Sequence, residues 1–140
     1  MVCFLYFITA NENSAEWNKV DSTHFTNTWE ILTSEGYTNE NANHTHASWV
    51  SASGKVDGQK TSVTVFGFPE NYRYPQAIRV HPSMPYWVYA PMVDGEFYIA
   101  LGAGYKSKFR YYVPNGASNP EIIRNIDQSL KSPVKATLLD

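Results

Sequence analysis

At 140 residues the chain has the length of one domain, enough to bury roughly two-thirds of the surface its unfolded form would expose. A net charge of -2 provides no basic field for a phosphate backbone, so nucleic acid is excluded as a partner, and no stretch approaches the roughly 20 apolar residues of a membrane-spanning helix. The single cysteine, Cys3, excludes an intrachain disulfide and reads, among apolar neighbours, as a core thiol; the 15% aromatic content points to a core or ligand surface built from rings.

The opening run MVCFLYFITA has no Lys or Arg ahead of its apolar core and passes at once into the polar NENSAEWNK, so it reads as a strand and not a signal peptide. Short β-type segments follow (WEILTS, ASWVSASGKV, TSVTVFGF, YWVYAP, EFYIAL and KSKFRYYV), separated by the turn signals SEG, DGQ, PEN, DG and GAG. KVDGQKTSVTVFGF reads as two strands joined at Asp57-Gly58, a pair that tolerates the positive φ of a tight hairpin, and this places Val63 and Val65 on one face. In GYKSKFRYYV the residues Tyr105, Ser107, Phe109, Tyr111 and Val113 point one way, and Lys106, Lys108, Arg110 and Tyr112 the other.

NPEIIRNIDQSLK predicts a helix. Asn119 is its N-cap, Pro120 suits the first position, Glu121 the positive end of the dipole and Lys131 the last turn, while Ile122, Ile126 and Leu130, with Ile123 beside them, form an apolar stripe. Pro133 stops it and leaves VKATLL as a closing strand. The expected architecture is therefore one all-β domain over residues 1–140: an antiparallel β-sandwich with one C-terminal α-helix.

The stretch RYPQAIRVHPSMPYWVYAP, residues 73–91, carries the strongest functional signal. Its prolines cannot occupy central ladder positions, so it is an irregular or edge strand, yet it places Arg73, Arg79 and His81 among Tyr74, Tyr86, Trp87 and Tyr89. Ring faces cover the C–H surface of a sugar or planar ligand, and guanidinium donors bind its oxygens. Composition alone also allows the bland reading, in which the rings are core and the arginines satisfy strand-end carbonyls. His24-Phe25-Thr26 and His46-Ala47-Ser48 imitate paired phosphoesterase motifs, but no duplicated lobe accompanies them. His44-Thr45-His46 is half of a metal site without a third ligand, so neither a metal nor another cofactor is expected.

Three blocks resemble a known family. ILTSEGYTNENANHTHASWVSASGKVDGQKTSVTVF, GFPENYRYPQAIRVHPSMPYWVYAP and GEFYIALGAGYKSKFRYYV are similar, in order, to the glycine turn, the proline-arginine block and the closing strands of the PmoA-like family. The resemblance covers the C-terminal half of that family's chains. It implies a mutarotase-like β-sandwich, of a kind found in carbohydrate-degrading bacteria; where that family's groove is lined by both halves, this chain has lost it, shares it with another chain, or is a truncated product. On this basis the chain is expected to bind or process a carbohydrate, with Asn71, Arg73, Arg79, Tyr86 and Trp87 at the ligand and His81 as the general acid or base if a reaction occurs, assisted by Glu35 or Glu96. The rival expectation is a non-catalytic assembly module whose aromatic face is a subunit interface. Either way a homo-oligomer or a complementing chain is expected, to cover apolar edges.

Overall fold

The computed structural model describes residues 5–6, 25–56, 58–81 and 86–134. Among these, two antiparallel sheets and one α-helix form the architecture. Strands β1 (Leu5–Tyr6), β6 (Tyr86–Tyr89) and β5 (Ile78–Val80) make a three-stranded sheet in the order β1-β6-β5. Strands β2 (Phe25–Thr33), β3 (Trp49–Val56), β4 (Gln59–Gly67) and β7 (Phe109–Tyr112) make a four-stranded sheet in the order β2-β3-β4-β7.

The β3–β4 hairpin pairs Val56 with Gln59 across its turn, where Gly58 takes φ +74°. A side chain would strain that position, which is why Asp-Gly reads as a turn. Strict alternation from this register gives the large sheet two different faces. Ile31, Val50, Ala52, Val63 and Val65 point toward the small sheet and form one buried cluster with its Ile78, Val80 and Trp87. Phe66 points the other way and is buried against Ile123 and Leu130 of helix α1 (Pro120–Lys131), with Trp49, Phe68, Tyr112 and Ile126 around it.

The helix begins where its cap chemistry places it. The Asn119 side chain accepts hydrogen bonds from the N–H groups of Glu121 at 2.9 Å and Ile122 at 3.4 Å, and Lys131 donates to Asp127 Oδ2 one turn back at 2.6 Å. Its apolar stripe is rotated from the expected one: Ile123 and Leu130 are buried, whereas Ile122 is exposed.

The expected strand EFYIAL is absent, since residues 95–107 form no strand. The cause is tertiary. The Arg73 guanidinium takes the carbonyls of Pro91, Gly95 and Glu96 at 2.6, 2.8 and 3.4 Å, and Phe97 packs on Tyr72 with ring centroids 5.0 Å apart. The carbonyl of Glu96, the first residue of the expected strand, and those of Gly95 and Pro91 before it are thus given to an arginine. All but Val134 of the expected closing strand VKATLL, and most of the opening run, lie outside the described residues.

Candidate functional site

The helix-side face of the large sheet is not fully covered. Between it and α1 runs a groove of about 980 Å³. Its floor follows from β alternation: Trp49, Ser51 and Ser53 project from β3, and Glu30 and Leu32 from β2, on the face opposite Val50 and Ala52. Thr64 donates to Ser51 Oγ at 3.1 Å, while Ser62 receives a bond from Ser118 at 2.7 Å and donates to the Gly116 carbonyl at 3.2 Å. The first pair crosses β3 and β4 within the sheet, and the two Ser62 bonds tie Gly116 and Ser118, just before α1, to β4.

The walls carry both signs of charge. Glu35 and Asn39 enter from the turn after β2, Lys55 and Lys60 from the β3–β4 hairpin, and Arg124, Asp127 and Lys131 from α1. Asn39 is fixed in place, because its side-chain oxygen accepts the Ile31 N–H at 2.8 Å; Ser34 donates to Glu35 Oε1 at 3.1 Å. Partial burial pulls the Lys131 amine down, but the Asp127 hydrogen bond, with the charges of Asp127, Tyr74 and Glu35, outweighs it and holds the amine above its ordinary range. Lys131 is therefore a permanent cation at neutral pH and not a base. Burial pushes the nearby Tyr74 phenol up, against the opposing charge of Lys131, so it remains a neutral hydroxyl.

The groove is thus a trough with one half-buried indole, a row of hydroxyls, three carboxylates (Glu30, Glu35 and Asp127) and four cations (Lys55, Lys60, Arg124 and Lys131). It can hydrogen-bond a polyhydroxylated molecule along its length and stack one of its faces.

The sequence-derived candidates are dispersed. Asn71 is buried and fully used: its Nδ2 donates to the Lys108 carbonyl and its Oδ1 accepts the Lys108 N–H, both at 2.7 Å. Arg73, at φ +56°, clamps the loop after β6 as described and lies over the rings of Tyr72 and Phe97, 5.0 and 5.6 Å from their centroids. Arg79 is exposed on the outer face of the small sheet, between the buried Ile78 and Val80. His81 is half-buried just beyond β5, and Tyr86 lies in β6 opposite Tyr6, its side chain outside the described residues. Trp87 is 1% exposed and belongs to the core cluster, where it also forms part of a cavity between the sheets. Asn71, Arg73, Arg79 and His81 line neither that cavity nor the groove. Glu35 lines the groove, and Glu96 lends only its backbone carbonyl to Arg73.

The groove residues Ser51 and Ser53 were legible as the alternates of Val50 and Ala52, but nothing in the sequence announces that α1 would stand opposite them. His46, set aside above, pairs with Asp94, its Nε2 lying 3.1 Å from each carboxylate oxygen. Among the described residues no group of three or more His, Cys, Asp or Glu could hold a metal ion, and no helix is long and apolar enough to cross a membrane.

Residues 13–126 match the family model described as a family of unknown function, DUF6807. The chain belongs to this family. No curated protein and no solved structure matches it.

Proposed function

We propose that this DUF6807 protein is a carbohydrate-binding β-sandwich of mutarotase-like architecture, and that the saccharide lies in the groove between the large sheet and α1. The observation that carries this reading is the groove's chemistry: Trp49, Ser51 and Ser53 on the floor, with Glu30, Glu35, Arg124 and Lys131 around them. A sugar ring offers an apolar C–H face and a rim of hydroxyls, and this wall offers a partner for each. The motif resemblance to PmoA-like proteins supports the same ligand class. Within this reading the acid–base groups adjoining a bound sugar are the carboxylates Glu30, Glu35 and Asp127, since His81 does not line the groove.

Calorimetric titration with neutral and uronic saccharides, on the wild type and on Glu30→Gln, tests it. Saturable binding is expected for the wild type, weakened about tenfold or more by Glu30→Gln with an unchanged Tm, as for loss of one charge-assisted hydrogen bond. Absence of binding to any saccharide at millimolar concentration would sink the proposal.

A second reading is favoured by one further observation. Tyr98 and Leu101, at 85% and 106% exposure, stand out from the strandless loop together with Ile99. Such a patch suits a subunit interface, and a homo-oligomer assembled through it would make the protein an assembly module. Light scattering together with saccharide titration on the wild type and Leu101→Glu separates the readings: under the second, a dimer becomes monomeric and no saccharide binds.

A further inference from the structure

We propose that the saccharide is acidic, and that its carboxylate or sulfate group is held at the hairpin end of the groove by Lys55, Lys60 and Arg124; the proposal rests on the saccharide reading above and gives it a chemical class and a direction. All three residues line the groove and all three are exposed, so their charges are open to a molecule lying there.

The groove is polarised along its length. Lys55 and Lys60 stand opposite each other in the β3–β4 ladder, and the next pair on the same face is Ser53 with Ser62. Ser62 is bonded to Gly116 and Ser118, and a Cβ on Gly116 would stand 3.9 Å from the Lys60 carbonyl oxygen, so the chain enters α1 at this end. Arg124 lies one turn into the helix, on the groove-facing stripe that also carries Pro120 and Asp127. Lys131, ~10 Å farther along the axis, belongs to the opposite end, where the charge of Glu35 reaches it. The hairpin end thus has three cations and one carboxylate, Glu30, which pairs with Ser53 in the ladder; the other end has Glu35 and the Asp127–Lys131 pair.

Within the sheet the lysine pair is a liability. Like charges set directly opposite on one face repel and weaken the ladder. No ion pair relieves them: among the described residues the salt bridges are His46–Asp94 and Lys131–Asp127, and Lys55, Lys60 and Arg124 enter neither. Nor do the lysines guard an edge, a common task of strand lysines, since β3 and β4 are the interior strands of the order β2-β3-β4-β7. The chain carries a net charge of -2, so this end concentrates positive charge against the overall sign. A bound anion removes the repulsion, and Ser53, Thr61 and Ser118 beside it offer hydroxyls to the sugar rim. Trp49 stands on the same face of β3 ~20 Å from Lys55, so a ligand that stacks on the indole and reaches the lysines is an oligosaccharide.

Trimers of galacturonate, glucuronate and mannuronate test this by calorimetric titration of the full chain, each beside its carboxyl-reduced neutral twin and the sulfated form of that twin. At least one acidic trimer is expected to bind about tenfold or more tighter than its neutral twin at low ionic strength, with the gap closing as salt rises. Preference for the uronate or for the sulfate ester identifies which anion the lysines take. Lys60→Gln and Arg124→Gln should each weaken the acidic trimer about two- to fivefold more than the neutral twin, as for exposed charge pairs. Neither should lower the Tm, and Lys60→Gln should raise it slightly because it removes the like-charge pair. Lys106→Gln takes the same charge from an exposed residue outside the groove and should alter neither affinity. Equal affinity for acidic and neutral trimers, or an acid preference that survives both groove variants, overturns this proposal and leaves the saccharide reading standing. Binding of no trimer, acidic or neutral, overturns both.

Discussion

The two faces of the large sheet are built from the same strands and differ by one residue of register. On the inner face Val50, Ala52, Val63 and Val65 pack into the core, and the ladder continues through Phe109 and Tyr111 into the ring-lined cavity. On the outer face the alternates Ser51, Ser62 and Thr64 bond one another or Ser118, and Ser53 opens into the groove. The lesson concerns where polar groups can be left unpaired. An outer-face hydroxyl has water or another hydroxyl within reach, whereas an inner-face polar atom without a partner loses hydration outright. Strand alternation therefore gives one sheet a hydroxyl-bearing face toward α1 and an apolar, ring-lined face toward the small sheet.

Breaking the inner face should have the largest effect. Trp87→Ala removes a fully buried indole that ties the two sheets together and is expected to destabilise the fold by about 3–5 kcal/mol in denaturant titration. A loss below about 1 kcal/mol would mean that the small sheet contributes little to the core.

Arg73→Ala comes next. It strips three carbonyls of their donor and frees the loop that borders the cavity, with an expected loss of about 2 kcal/mol. Arg73→Lys should recover little of this, because an ammonium lacks the guanidinium fork that reaches several carbonyls at once. If Arg73 is instead a ligand anchor, truncation leaves the Tm in place and reduces only binding.

Tyr89 extends the comparison to pH. Burial raises its phenol well above the ordinary value near 10.0, and its hydroxyl donates to the Val65 carbonyl at 3.0 Å. Above pH 10 the unfolded chain releases this proton while the folded one retains it. Stability from this residue is thus complete below pH 10 and falls by about 1.4 kcal/mol per pH unit above it. Chemical denaturation between pH 9 and 12 should show that slope in the wild type and a shallower one in Tyr89→Phe. The groove's serine and threonine hydroxyls do not titrate in this range, whereas Lys131 and Tyr74, both held above their ordinary values, add to the slope in wild type and Tyr89→Phe alike.

Much of this frame was readable from local chemistry. Asp57-Gly58 fixed the hairpin, the period of two sorted Val63 and Val65 from Thr64, and Asn119-Pro120 marked the helix start. The alternation Tyr105, Ser107, Phe109, Tyr111 was visible too, and all four line the cavity although only Phe109 and Tyr111 lie in a strand. What could not be read is long-range. Residues 96–101 have strand composition, but Arg73, more than twenty positions earlier, takes their neighbouring carbonyls. Arg79 has the look of an anchor, yet parity between Ile78 and Val80 turns it outward. The groove depends on α1 standing over β3, a juxtaposition that no window of sequence encodes.

The smallest effect on stability isolates the outer face most cleanly. Ser53 sits on the groove floor opposite Ser62 in the ladder, half-buried, beside a helix that approaches but does not cover it. Ser53→Ala removes one hydroxyl that water already satisfies, so the Tm and the denaturation midpoint should stay within about 0.5 kcal/mol of the wild type. If a saccharide lies in the groove, that hydroxyl is one of its partners, and affinity should fall about two- to tenfold. Unchanged saccharide affinity in Ser53→Ala would show that the sugar, if bound, does not reach this part of the floor, and a lowered Tm would show that the hydroxyl is structural.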